Sequence, residues 1–187
     1  MFAWLARRRL IAFERAFDYD ASYAHEMLDQ NMRALIALNN AAPLGRIQDG
    51  VDRDTFYAAR LTATLHEDCG PCLQLVVRMA ENAGVDSALI AAVVERNWQS
   101  LPKAPRAAAR FAWTTLERDA DADAAREELA QITGKRGLVS IACAVTAARI
   151  YPTLKYALGH GHACRRVIVG QRAVVPHAQV FTNEAIA

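Results

Sequence analysis

Several features that would assign this sequence quickly are missing from it. Its charges nearly cancel, 22 Lys and Arg against 20 Asp and Glu for a formal net charge of +2, so it carries no basic excess of the kind that draws a chain to nucleic acid. No segment is of low complexity. With 53% hydrophobic and 22% charged residues the composition is that of a folded globular protein rather than a disordered one. Cysteine is scarce, four in 187 residues, too few for a fold stapled by disulfides. No run reaches the roughly 20 apolar residues expected of a membrane span. The first ten residues carry Arg7, Arg8 and Arg9 among their apolar positions, whereas a secretory signal places its charge before an unbroken apolar stretch. These absences lead to one domain over residues 1–187, large enough for a real core, cytoplasmic, with neither nucleic acid nor membrane as a partner.

What is present is helical periodicity. Apolar residues recur at helical spacing over residues 2–17, with Leu5, Leu10 and Phe13, and over 22–40, with Met27, Met32, Leu35, Ile36 and Leu38. The pattern then breaks at Pro43-Leu44-Gly45. A third helix is expected over 52–65, with Asp52 and Asp54 at its positive end. His66-Glu67-Asp68 is a polar break, and Cys69-Gly70-Pro71-Cys72 opens an apolar helix that Gly84 closes. Asp86 or Ser87 caps the next, through Val94. Residues 100–105 read as a linker with two prolines. Helices follow over 106–116 and 122–132, the latter closed by Gly134, and an apolar segment starts near Leu138. Pro152 is expected to end or kink it, because proline cannot donate the helical hydrogen bond, and a short helix over 153–158 follows. Residues 167–169 and 174–175 fit short strands or extended arms. The expected fold is all-α, a multi-helix bundle with a short extended C-terminal tail.

The chemistry is concentrated at the cysteine pair. Two cysteines three apart at the first turn of a helix lie close enough to form a disulfide. Unpaired N–H groups and the helix dipole favour a thiolate there, which makes Cys69 the exposed nucleophile and Cys72 the buried resolver. Pro71 suits a first turn, where its missing N–H costs nothing. The spacing also fits half of a zinc site, with His66 as the single neighbouring ligand, or two inert buried cysteines. His66 and Glu67 flank the pair and are candidates to activate Cys69 as general base or charge partner; the bland alternative is that both merely end one helix and open the next.

Cys69-Gly70-Pro71-Cys72 matches the redox motif of thioredoxins, but alternating strands and helices do not surround it. The order helix, polar break, Cys-x-x-Cys, apolar helix ending in Ala-Gly, from Ala59-Arg60-Leu61 through His66-Glu67-Asp68-Cys69-Gly70-Pro71-Cys72-Leu73-Gln74-Leu75 to Ala83-Gly84-Val85, resembles the alkylhydroperoxidase-D-like and carboxymuconolactone decarboxylase-like superfamily. The segment from Ala148 to Gly159, followed by Cys164, looks like the C-terminal part of a divergent branch. The resemblance implies an all-α homo-oligomer needing no cofactor and no metal. Its two cysteines would act on a peroxide or disulfide substrate, and a thiol reductant of unknown identity would restore them. It also implies a His and a Glu as proton relay, where this chain has Val76 and Tyr57. The superfamily's decarboxylases instead need basic anchors for a substrate carboxylate, and Arg60 and Arg78, the candidates, read as solvated helix charges.

Two further cysteines complete the inventory. Cys143 reads as a small core residue. His160-Gly161-His162-Ala163-Cys164 has metal-ligating side chains but no clear third ligand on one face.

Overall fold

The computed structural model describes residues 2–163 and 166–176. Among the described residues eight α-helices carry the fold: α1 (Phe2–Phe17), α2 (Ser22–Gln30), α3 (Met32–Ala41), α4 (Arg53–His66), α5 (Gly70–Asn82), α6 (Ser87–Val94), α7 (Lys103–Glu117) and α8 (Ala122–Ala157). Two short strands, β1 (Val167–Val169) and β2 (Arg172–Val174), form an antiparallel hairpin that pairs Val167 with Val174. The expected all-α bundle with a short extended tail is what the chain adopts.

Helix α4 is the hub, packing on α5, α6, α7 and α8. Its sequence explains why. Ala58, Ala59 and Ala63 on α4 meet a face of α7 that carries Ala107, Ala108, Ala109 and Ala112, all essentially inaccessible. Small side chains on both helices let the two axes approach closely. Two buried threonines of these helices bond within their own helix: Thr64 Oγ1 donates to the Arg60 carbonyl at 2.9 Å and Thr114 Oγ1 to the Arg110 carbonyl at 3.0 Å. Asp52 caps α4, accepting from the Thr55 N–H at 2.9 Å and from its hydroxyl at 2.6 Å.

The chain departs from its sequence pattern in several places, among them the start of α7, which at Lys103 takes in half of the expected linker. The helix expected over 22–40 is two helices, because Asn31 leaves the helical region (φ −154°, ψ 79°) and its side chain caps α3 by accepting from the Ala34 N–H. The helices expected either side of Gly134 run on as one element, broken only at Gly134 itself, whose φ of 69° suits a residue without Cβ. Pro152 does not end α8, which continues to Ala157; the proline is buried against the fold, and tertiary packing outweighs the one helical hydrogen bond it deletes. Helix α8 also corrects the expectation that no segment has the length and apolarity to cross a membrane, since it meets both criteria. Its buried residues, among them Leu129, Ile141, Ala144 and Val145, pack on α4 and α7 as in a core helix.

The C-terminal hairpin is anchored on α5. Val167, Val169 and Val174 are buried in one cluster with Leu73, Val76 and Val77, each such side chain contributing about 1.5–3 kcal/mol. The Gln74 side-chain amide pairs with both backbone groups of Ile168, donating to the carbonyl at 2.9 Å and accepting from the N–H at 2.7 Å. The segment 159–163 that leads to this hairpin is polar and held by individual hydrogen bonds, each contributing only about 0.5–1.5 kcal/mol.

At the far end of α8, Lys155 is almost wholly buried. Its Nζ lies 4.7 Å from the Tyr19 ring centre and 5.3 Å from that of Tyr23, and donates to the Tyr19 hydroxyl at 3.3 Å. Burial lowers the lysine's pKa below its ordinary 10.5, with the charge of Asp20 opposing. The unfolded chain therefore binds the proton more tightly than the folded one, and stability rises with pH as the value approaches 10.5. Burial pushes Tyr19 up to about 12, which reverses the slope above the ordinary 10.0, so the rise is read below that pH. Lys155→Met, which keeps the volume, is expected to remove the rise and stay within about 1.5 kcal/mol of wild type. Lys155→Ala should cost about 2–4 kcal/mol. Denaturant melts between neutral pH and 9.5 check this; an unchanged slope in Lys155→Met would contradict it.

Candidate functional site

The site is made by the reversal between α4 and α5. Helix α4 ends at His66, and Asp68 turns the chain with a φ of 49°, a left-handed conformation uncommon for a residue with a side chain. The turn is held from both sides: the Asp68 N–H donates to the Leu65 carbonyl at 3.1 Å, and the Tyr156 hydroxyl donates to the Asp68 carbonyl at 2.8 Å. Cys69 follows in extended conformation as the N-cap of α5 (φ −102°, ψ 97°), and its carbonyl accepts the first helical bond from Leu73 N–H at 2.9 Å. Extended backbone at Cys69 followed by one helical turn sets its Cα 5.2 Å from that of Cys72, and the two sulfurs are joined in a disulfide. Pro71 occupies the first turn as expected.

One part of the sequence reading is overturned. Cys69, expected as the exposed sulfur, has 0% of its surface accessible, and Cys72 has 5%. The Gly70 N–H, an orphan donor at the helix start, is taken by the His162 carbonyl at 2.9 Å, which brings the segment 159–163 against the start of α5. Beside it is an open cavity of ≈ 510 Å³ lined by Gly70, Pro71, Gln74, His162, Ala163 and Arg166. The cavity thus abuts the cysteine turn from the side of the tail.

His66 and Glu67 are close in sequence to Cys69 but have partners on other helices. His66 Nε2 lies 2.7 Å from Glu117 Oε1 on α7, and its ring meets Trp113 edge-on at 5.0 Å. Glu67 accepts from Arg149 Nε on α8 at 2.6 Å, and its carboxylate is 3.7 Å from His66 Nδ1. The Arg96 guanidinium lies over the Trp113 ring, 4.2 Å from its centre. These contacts tie the α4–α5 reversal to α7 and α8.

Val76 and Tyr57 both lie in the apolar cluster of α5, Val76 buried and Tyr57 partly so, with the Tyr57 ring edge-on to Phe56. Neither arginine is a solvated helix charge. Arg60 is mostly buried, donating to Met79 Sδ at 3.5 Å, and burial depresses its pKa, as does Arg46 while Tyr57 and Tyr151 oppose. Arg78 binds the carboxylate of Asp18 at 2.8 Å and the carbonyls of Phe17 and Asp18, locking α1 to α5. Cys143 is a free thiol, partly exposed rather than in the core. His160 pairs with Glu26 at 2.7 Å, and Cys164 lies outside the described residues. Among the described residues, His, Cys, Asp and Glu form no group of three fit to hold a metal ion.

Two residues of the site, Tyr156 and Gln74, had no assigned role in the sequence, and His162 was weighed there only as part of a metal cluster. Tyr156 acts across 88 residues, a separation no periodicity reveals. Gln74 is a polar interruption on a helix otherwise lined with Leu73, Leu75, Val76 and Val77, a sign that something polar docks there. No family model, no curated protein and no solved structure matches this chain, so its geometry alone bears on function.

Because the Tyr156 hydroxyl holds the strained turn, Tyr156→Phe is expected to cost about 0.5–1.5 kcal/mol in denaturant unfolding. Indistinguishable stability would mean that the Asp68 carbonyl is served equally well by water.

Proposed function

We propose that this chain is a thiol–disulfide oxidoreductase that cycles Cys69 and Cys72 between a disulfide and two thiols. The observation that carries the reading is the bond between two cysteines at the N-terminal turn of α5, where the helix dipole favours a thiolate. In the reducing half-cycle the thiolate of an external dithiol attacks one sulfur. The Cys69–Cys72 bond breaks, and the displaced sulfur leaves as a thiolate that takes up a proton. The reductant's second thiol then resolves the mixed disulfide, so the reductant ends as a disulfide and the chain as a dithiol.

In the oxidising half-cycle the Cys69 thiolate attacks a peroxide oxygen. The O–O bond breaks, the leaving oxygen departs protonated as an alcohol or water, and Cys69 becomes a sulfenic acid. Cys72 condenses with it, expelling water and closing the disulfide. A small disulfide would serve as an alternative oxidant by the reverse of the first exchange. Val76 offers no proton relay, and thiol exchange needs none. His66 and Glu67 support the reaction by fixing the turn that carries Cys69, through Glu117 and Arg149. The scaffold reading is alkylhydroperoxidase-D-like, with further copies of the chain covering exposed apolar residues such as Trp4, Ile36 and Val139, in the cytoplasm.

One observation favours a second reading, a cofactor-free lyase acting on a small acid. Arg60 is a mostly buried cation that makes no salt bridge among the described residues, the kind of group a substrate carboxylate would pair with. Turnover that survives Cys69→Ser and falls in Arg60→Gln would favour it.

Cys69→Ser and Cys72→Ser are each expected to lower dithiol-dependent reduction of a peroxide or small disulfide by about 100-fold or more, since neither leaves a pair that can close. Cys143→Ser should retain wild-type turnover. Assay of the three variants side by side checks this, and wild-type rates in Cys69→Ser would remove the proposal.

A further inference from the structure

We infer that residues 159–163 form a strap that gates the Cys69–Cys72 pair, closed in this structure and displaced before either sulfur can exchange. The inference rests on the redox reading above and concerns how that site is regulated. Three observations carry it. First, the sulfurs are shut in although the disulfide sits at a helix start beside a ≈ 510 Å³ open cavity, and Cys69 has no accessible surface. A thiolate must approach a sulfur along the S–S axis to displace its partner, so exchange in this closed arrangement has no path to Cys69.

Second, the strap is fastened differently from what flanks it. On one side α8 ends at Ala157, followed by Gly159, whose φ of 80° is a left-handed helix stop. On the other the hairpin is seated by three buried valines and by Gln74. Between them the strap buries no large apolar side chain, and His162 and Ala163 are exposed. Its described ties are the Gly159 N–H to Tyr156 carbonyl bond at 3.1 Å, the His160 N–H to Lys155 carbonyl bond at 2.8 Å, the Gly70 N–H to His162 carbonyl bond, and the His160–Glu26 pair at 2.7 Å. Segments held by few exposed polar contacts are those that open locally while the rest of a fold stays intact.

Third, the strap fits against the ring that holds the cysteine turn. A Cβ on Gly161 would fall 2.3 Å from Tyr156 Cδ1, so only glycine lets the backbone lie against that ring. The same ring's hydroxyl fixes Asp68 at 2.8 Å. Closure of the strap and the geometry of the turn therefore meet at one side chain.

The test uses the full-length protein and dithiothreitol as the dithiol probe, with oxidised dithiothreitol for the reverse direction. The rate of Cys69–Cys72 reduction is followed by quenched alkylation and mass measurement of the peptide containing both. His160→Ala and Glu26→Ala, at the rim and away from the sulfurs, should each raise the rate about three- to fivefold, and the double variant no further, as befits loss of a single exposed ion pair. Gly161→Ala should raise it about tenfold or more by holding the strap open. Both reduction and reoxidation should accelerate, with an unchanged midpoint potential. Wild-type rates in His160→Ala and Gly161→Ala would overturn the gate, as would a change confined to one direction, which reports bond stability rather than access. Failure of the redox reading is distinct from either result: there the pair would not interconvert between disulfide and dithiol in the native protein under any of these conditions.

Discussion

The left-handed backbone at Asp68 is the constraint on which the site depends. Without that reversal α4 would not hand over to α5, Cys69 would not become an N-cap, and the two sulfurs would not share a helix start. A residue with a Cβ pays of order 1 kcal/mol or more to sit there, and the surroundings hold it in place. Tyr156 binds its carbonyl, Glu67 beside it is tied to Arg149, and His66 is tied to Glu117. Two helices distant in sequence, α7 and α8, thus converge on one turn. Helix α4 can support this because its alanines let α7 pack close along its length.

The same convergence sets the course of the chain after α8. The end of α8 brings Tyr156 to the turn, and the chain leaving α8 runs against the start of α5. There it meets an unpaired N–H at Gly70 and an amide at Gln74, and both accept it as a partner. A helix N-terminus attracts a carbonyl as readily as it stabilises a thiolate, and here the Gly70 N–H is taken by His162.

Much of the fold was legible in the sequence because its elements are long and amphipathic. The helix at 70–82 was marked by Pro71 and Gly84, and that at 87–94 by Asp86, whose side chain does cap it at Ala88 N–H. The split at Asn31 was missed because the apolar stripe continues across it, while the capping role of Asn31 is a local feature that periodicity ignores. Pro152 misled for the opposite reason: a strong local rule was outweighed by burial. At the site, spacing alone indicated that Cys69 and Cys72 can bond. It gave no sign that Cys69 is inaccessible, since burial is set by tertiary packing that spacing does not report. Arg60, likewise, reads as a surface charge in any one-dimensional pattern, and only the packing of α4 on α5 places it inside.

The most direct measurement of the central claim is the ¹³Cβ chemical shift of Cys69 and Cys72 across a series of dithiol-to-disulfide buffers. The account predicts that both resonances move together between oxidised and reduced positions, reversibly and at one midpoint, while signals from the α4–α7 core stay fixed. Resonances that hold their oxidised positions until the core signals collapse would show a disulfide that only braces the fold, and would contradict it.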